Sequence, residues 1–158
     1  MINFSGKPTI NPWLYFTGKT AGYLSWLFYC LSVLHVGFER YYASPLTGTI
    51  AILMAVLGFL LIILSSLFLG NSTRIGLPEE ETLLKTKGIY RYSRNPMYVG
   101  FHLVTLSGMV YTLNPWVILP GLFSFIIYHL IIQGEEAFLE ERFGKEYMDY
   151  KQRVRKYL

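Results

Sequence analysis

The sequence predicts an all-α integral membrane protein: four transmembrane helices, the last two forming a helical hairpin, followed by a C-terminal amphipathic helix. Three observations carry this expectation. Hydrophobic residues make up 53% of the 158-residue chain and charged residues 15%, and the mean hydropathy is +0.35, too apolar for an ordinary soluble domain. Four apolar runs, at about residues 21–38, 49–69, 98–113 and 116–133, are separated by polar stretches. If all four cross a bilayer, thirteen of the fourteen Lys and Arg residues fall on one side and only Arg40 on the other. The positive-inside rule then places both termini and the loop 71–97 in the cytoplasm, at an inner membrane or the endoplasmic reticulum. The same segregation argues against nucleic acid as the reason for the net charge of +4.

Taken in order, residues 1–20 contain Pro8 and Pro12 with Trp13, Tyr15 and Phe16. They read as a loop or interfacial segment with its aromatics at headgroup depth, and they lack the long apolar core of a signal peptide. The run 21–38 is near the lower length limit for a span and carries Tyr23, Tyr29, Ser32 and His35, so part of it is expected to face protein. The run 49–69 is the clearest span, with 21 residues and no charge; Gly58, Ala51 and Ala55 permit close helix approach. The loop 71–97 is long enough to be functional. Within it, Pro78, the acids Glu79 to Glu81, the bases Lys85 and Lys87, and Gly88 predict a short helix.

The runs 98–113 and 116–133 meet at Asn114-Pro115, a tight turn. The hairpin brings the loop before it and the tail 134–158 to one side. In that tail Leu139, Phe143, Tyr147, Tyr150, Val154 and Tyr157 recur at steps of three and four, one face of a helix. The other face is rich in Lys and Arg, which suits a helix lying on the membrane surface, and Gly144 weakens it to the point that two shorter helices are an alternative. The whole chain, residues 1–158, reads as a single membrane domain. Its one cysteine, Cys30, excludes an internal disulfide, and no Cys/His spacing suggests a metal site.

Two polar clusters face each other across this hairpin. Arg91 and Arg94 are either charge anchors at the membrane boundary or partners for an anion or carboxylate, and Asn95-Pro96 interrupts the helix there and frees backbone groups. Glu135 and Glu136 either favour the dipole of the tail helix or, facing the arginine loop, hold a cationic ligand; adjacent carboxylates at the end of a span need pairing or water. Three histidines, His35, His102 and His129, lie in or near spans. His102 follows Tyr98 by four residues and His129 precedes Glu136 by seven, so each shares a face with a polar neighbour, although a lone histidine there is more often a packing residue. The chain has no GxGxxG, P-loop or HExxH motif.

The pattern Gly88, Tyr90, Arg94-Asn95-Pro96, Tyr98, Gly100, followed by a helical hairpin and then Glu135-Glu136, Leu139, Phe143-Gly144, Tyr147 and Tyr150, resembles the integral-membrane methyltransferases. These include the isoprenylcysteine carboxyl methyltransferases and the phospholipid N-methyltransferases. The resemblance covers residues 82–154 and implies S-adenosylmethionine as cofactor, a lipophilic or membrane-embedded small-molecule acceptor, and contact with membrane lipids. It places Tyr90, Arg94, Asn95, Pro96, Met97, Tyr98, Gly100, Glu135 and Glu136 around the cofactor, with the tail closing over it. The carboxyl methyltransferases usually have histidine where this chain has Asn95, and arginines where it has His129 to Gly134. The second departure points away from a prenylcysteine carboxylate. Transfer to an amine needs a base, and His102 and Glu135 are the candidates for that catalytic role. Two other classes stay open: a non-enzymatic four-span scaffold, and a membrane reductase of the steroid-reductase type, which shares a similar Arg-x-Pro-x-Tyr-x-Gly turn but usually carries an acid where this chain has Phe101.

Overall fold

The computed structural model describes residues 8–37, 44–69 and 83–158. These form five helices, α1 (Pro12–Val33), α2 (Pro45–Leu69), α3 (Pro96–Thr112), α4 (Pro115–Phe143) and α5 (Lys145–Arg153), with one turn of 3-10 helix at Gly88–Arg91. No strand occurs among the described residues.

Each of α1 to α4 begins on proline. Proline lacks the N–H that a first-turn residue would leave unpaired, and its fixed φ suits the helix start. Asn11 and Asn114 cap α1 and α4, their side-chain oxygens accepting from Trp13 N (2.9 Å) and Trp116 N (3.0 Å). The Asn11-Pro12 start corrects the loop alternative for residues 12–20, which are helical, and α1 runs from Pro12 to Val33 rather than from 21 to 38. The tail also differs in detail. Helix α4 runs without a break through Glu135 and Glu136 to Phe143, and Gly144, at φ +49, ends it and starts α5. Two helices therefore divide the predicted amphipathic face. The helix expected from Pro78 lies mostly outside the described residues; residues 83–87 are irregular, and Gly88 opens the 3-10 turn instead of closing a helix.

Helix α2 packs along α3, and α1 along α4; α3 and α4, although joined by the Leu113-Asn114 turn, touch much less. Glycine sets both close contacts. A Cβ on Gly100 would lie 2.7 Å from the Gly58 carbonyl oxygen, and one on Gly58 2.8 Å from that of Gly100, so the two backbones meet directly. A Cβ on Gly18 would overlap Ile127 of α4. Hydroxyls tie the bundle: Ser107 donates to Ala51 O (2.8 Å), Ser25 to Val117 O (2.9 Å), and the Trp26 indole to Thr105 Oγ1 (2.8 Å).

The exterior is apolar. On α2, Ile52, Leu53, Leu60 and Leu67 are all more than half exposed, as are Trp116, Leu119 and Ile126 on α4. A monomeric soluble protein does not expose such a surface. Two helices, α2 and α4, are long and apolar enough to cross a membrane; α1, with 22 residues, and α3, with 17, do not reach that standard. At 1.5 Å per residue α4 is about 43 Å long, beyond a hydrocarbon core of about 30 Å. Its polar end, from Gln133 on, therefore projects past its apolar run, and the polar cluster around Glu135 and Glu136 is built there.

Candidate functional site

Adjacent residues on a helix point about 100° apart. Glu135 and Glu136 therefore face different neighbours. Glu136, 4% exposed, turns to the loop before α3. Its Oε1 accepts from Arg94 Nε (3.0 Å) and lies 2.9 Å from Arg94 Nη2, while its Oε2 pairs with Lys156 Nζ at 3.0 Å. Asn95 Nδ2 also donates to Glu136 Oε1 (3.2 Å). Burial pushes the Glu136 carboxyl up, but Lys156 and Arg94 outweigh it and hold the group below its ordinary pKa.

Arg94 does more than neutralise Glu136. Its Nη1 donates to the carbonyls of Lys151 (3.1 Å) and Val154 (2.5 Å), and its backbone N–H donates to Arg155 O (2.9 Å). Asn95 Nδ2 and Ser93 Oγ both reach Lys156 O, and the buried Tyr150 hydroxyl donates to Tyr90 O (2.6 Å). The segment after α5 is thus laced to residues 90–95. Lys151 also pairs with Glu140 on α4.

Glu135 turns towards α3 and α1. Tyr98 Oη donates to its Oε1 at 2.7 Å. Lys19, whose Nζ donates to Tyr15 Oη (2.5 Å), adds a nearby positive charge. Burial raises the Glu135 pKa to about 7, against the opposing effects of the Tyr98 hydrogen bond and Lys19. Beside Tyr98 lies an aromatic cluster: its ring is 5.7 Å from Tyr128 and 6.1 Å from Phe101, and His102 meets Phe125 edge-on at 4.6 Å. The buried Nδ1 of His102 has no hydrogen-bond partner among the described residues.

The structure thus brings together most of the residues singled out from the sequence. Arg94, Asn95 and Glu136 form one connected set, and Tyr98 with Glu135 a second, one helical position away. Tyr90 enters through its carbonyl, and Pro96 opens α3 next to Asn95. Gly100 stands apart, because it faces α2. Met97 is half-buried, and Arg91 is exposed. His129 is exposed and bonded to Tyr157 Oη (2.7 Å) and Gln133, while Glu136 on the same helix is buried. Lys156 and the tail carbonyls were not foreseen. A backbone carbonyl carries no sequence signal, and Lys156 is one of several bases in the tail.

An all-helical protein with a lipid-type exterior and carboxylates gathered at one end is the class that fold and site define. The family model described as phospholipid methyltransferase matches residues 46–146, and the chain belongs to that family of membrane methyltransferases. Protein-S-isoprenylcysteine O-methyltransferase of Dictyostelium discoideum is 38% identical over 76 residues, which are 48% of this chain and 32% of that protein. Protein-S-isoprenylcysteine O-methyltransferase B of Arabidopsis thaliana is 34% identical over 79 residues, 48% of this chain and 39% of its own length. The Saccharomyces cerevisiae enzyme of the same name is 33% identical over 79 residues, 48% and 32% respectively. The matched stretch spans only about a third of the length of these relatives, from 32% to 39%.

Proposed function

We propose that this protein transfers a methyl group from S-adenosylmethionine to a lipophilic acceptor reached from the bilayer. The observation that carries the reading is the pair Glu135 and Glu136, each bound to a different part of the Arg94 to Tyr98 turn. The donor set suits a cationic amino-acid cofactor: a half-buried carboxylate and a phenol at Glu135 and Tyr98, aromatic faces beside them, and the ring nitrogen of His102 that has no partner among the described residues. When bound, the cofactor supplies a methyl group already activated on a sulfonium.

What remains for the protein is orientation and exclusion of water. Well-oriented groups contribute on the order of 7–11 kcal/mol through proximity. Tyr98 holds Glu135 in place, and Glu135 is the group to take the cofactor ammonium or, for an amine acceptor, the proton released on methylation. Its pKa of about 7 suits it to lose or hold that proton near neutrality. His102 is the second candidate base. Arg94 acts by position, pinning the tail and Glu136 together. Asn95 and Glu136 would line the polar end of the cofactor, with Tyr90, Pro96 and Met97 in the wall around them.

In this reading α1 to α4 all cross an inner or endoplasmic-reticulum membrane, the cluster facing the cytoplasm. The polar cofactor arrives from water and the acceptor from lipid. The similar proteins are named for O-methylation of S-isoprenylcysteine, whereas residues 129–134 of this chain contain no arginine to meet a carboxylate. The family membership favours this reading over scaffold or reductase. The test is transfer of radiolabelled methyl from S-adenosylmethionine into a solvent-extractable membrane fraction. Transfer by the wild type, reduced at least tenfold in Glu135→Gln, supports the proposal. Equal transfer by both refutes the role of Glu135.

A further inference from the structure

Arg94 is absorbed by the cluster around Glu136, but Arg91, three residues earlier, is not. It lines a separate cleft of about 370 Å³ between the 3-10 turn and α5, together with Thr86, Lys87, Tyr150, Arg153 and Val154. Three of the six lining residues are cations and none is an acid. Lys87, Arg91 and Arg153 are all exposed, and none forms an ion pair among the described residues. Arg153 is oriented by its Nε donating to Asp149 O (3.0 Å). The back wall is rigid, because the Tyr150 hydroxyl is fixed to Tyr90 O at 2.6 Å. Two large apolar side chains flank the opening in sequence, Leu83 at 79% and Tyr92 at 74% exposed.

Concentrated positive charge with no acid among the described residues that line the cleft calls for an anion. Exposed Leu83 and Tyr92, within three residues of the lining positions Thr86 and Arg91 in sequence, mark the level of the membrane interface, where amphipathic rings sit among headgroups. The loop leads directly into α3, so the cleft lies at the foot of the bundle, on the side that carries thirteen of the fourteen Lys and Arg residues if four helices cross. From these placements we infer that the cleft binds the phosphate of an acidic phospholipid headgroup in the leaflet next to the functional cluster. Lys87, Arg91 and Arg153 supply the charge, while Leu83 and Tyr92 rest among the acyl chains. Such a bound lipid would brace the 88–95 loop against α5. The inference does not rest on the methyltransferase reading, since it concerns charge and position outside the Glu135 and Glu136 cluster.

The test is titration of the detergent-purified full chain with dioctanoyl phosphatidylglycerol, beside dioctanoyl phosphatidylcholine and inorganic phosphate. Lipid adducts are counted by native mass spectrometry. The wild type is expected to take up one phosphatidylglycerol saturably and no comparable phosphatidylcholine. Each basic residue at a membrane surface contributes about 1 kcal/mol, or about fivefold. The triple variant Lys87→Gln/Arg91→Gln/Arg153→Gln should therefore bind on the order of a hundredfold more weakly. Lys145→Gln/Arg155→Gln, which removes exposed charge elsewhere on the tail, should bind as the wild type does. Equal binding by the triple variant overturns the inference, as does inorganic phosphate binding as tightly as the lipid. Displacement of the lipid by S-adenosylhomocysteine also overturns it, because the cleft would then belong to the cofactor.

Discussion

Replacing Arg94 with alanine tests the core of the cluster. The Arg94 side chain is 7% exposed and that of Glu136 6%, so the pair is largely shielded from water. Removing one member of a buried pair costs about 3–5 kcal/mol, since the other charge stays buried without its partner. Lys156 still neutralises part of Glu136, which puts the loss at the lower end for the carboxylate itself. The same substitution, however, strips the Lys151 and Val154 carbonyls of their donor, at about 1 kcal/mol for each. The total stays within about 3–5 kcal/mol and is concentrated where the tail joins α4. At 1.4 kcal/mol per tenfold, amides of α5 and the segment after it should exchange with solvent roughly a hundred to several thousand times faster. Hydrogen exchange read by mass spectrometry on the protein in nanodiscs measures this. The double variant Arg94→Met/Glu136→Leu should lose much less than the sum of its parts. Unchanged protection of residues 145–157 in Arg94→Ala would refute the view that Arg94 clamps the tail.

Three other outcomes follow from the same structure. The Glu135 pKa is raised from 4.5 to about 7, so the folded protein holds an extra proton between those values. Stability from this group is present below about 4.5 and is lost as pH rises through about 7; thermal unfolding between pH 5 and 8 should show that decline in the wild type and not in Glu135→Gln. Glu136 has the opposite sign: its pKa is lowered, so its contribution is present above the ordinary carboxylate value and is lost only on acidification below it. Lys156→Met should bring that acid loss to higher pH in an acid-unfolding titration. Gly58→Ala places a methyl 2.8 Å from the Gly100 carbonyl and Val104, which forces α2 and α3 apart; a loss of about 1–3 kcal/mol is expected, seen as a lower unfolding temperature in detergent.

Some of this architecture was plain in the sequence. The helix starts at Asn95-Pro96 and Asn114-Pro115 combine a capping side chain or boundary residue with a proline that cannot continue a helix backwards. The same pair at Asn11-Pro12 marks the start of α1, but the polar and aromatic residues that follow obscured it, because apolar content was the stronger signal. The end of the apolar run at Gln133 similarly suggested a new helix where none begins. Glu, Ala, Phe and Leu propagate α4 to Phe143, since helix formation needs only a suitable backbone and not a lipid-facing side chain. Within the site, the meeting of Arg94 with Glu136 was legible as charge complementarity across a hairpin. The division of labour between Glu135 and Glu136 was not, because it depends on the rotation of α4 against α1 and α3. Gly100 fits the motif by position, yet its neighbours show that it serves helix packing.

The most direct test of the central claim is calorimetric binding of S-adenosylhomocysteine to the purified protein in nanodiscs, for the wild type, Glu135→Gln and Tyr98→Phe. Both variants keep the shape of the side chain and change one hydrogen bond or charge. A hydrogen bond to a charged group contributes about 1.5–3 kcal/mol. The account therefore predicts micromolar binding by the wild type and roughly ten- to hundredfold weaker binding by Glu135→Gln, with Tyr98→Phe weakened in the same direction. Folded wild-type protein that does not bind, or variants that bind as well as the wild type, would contradict it.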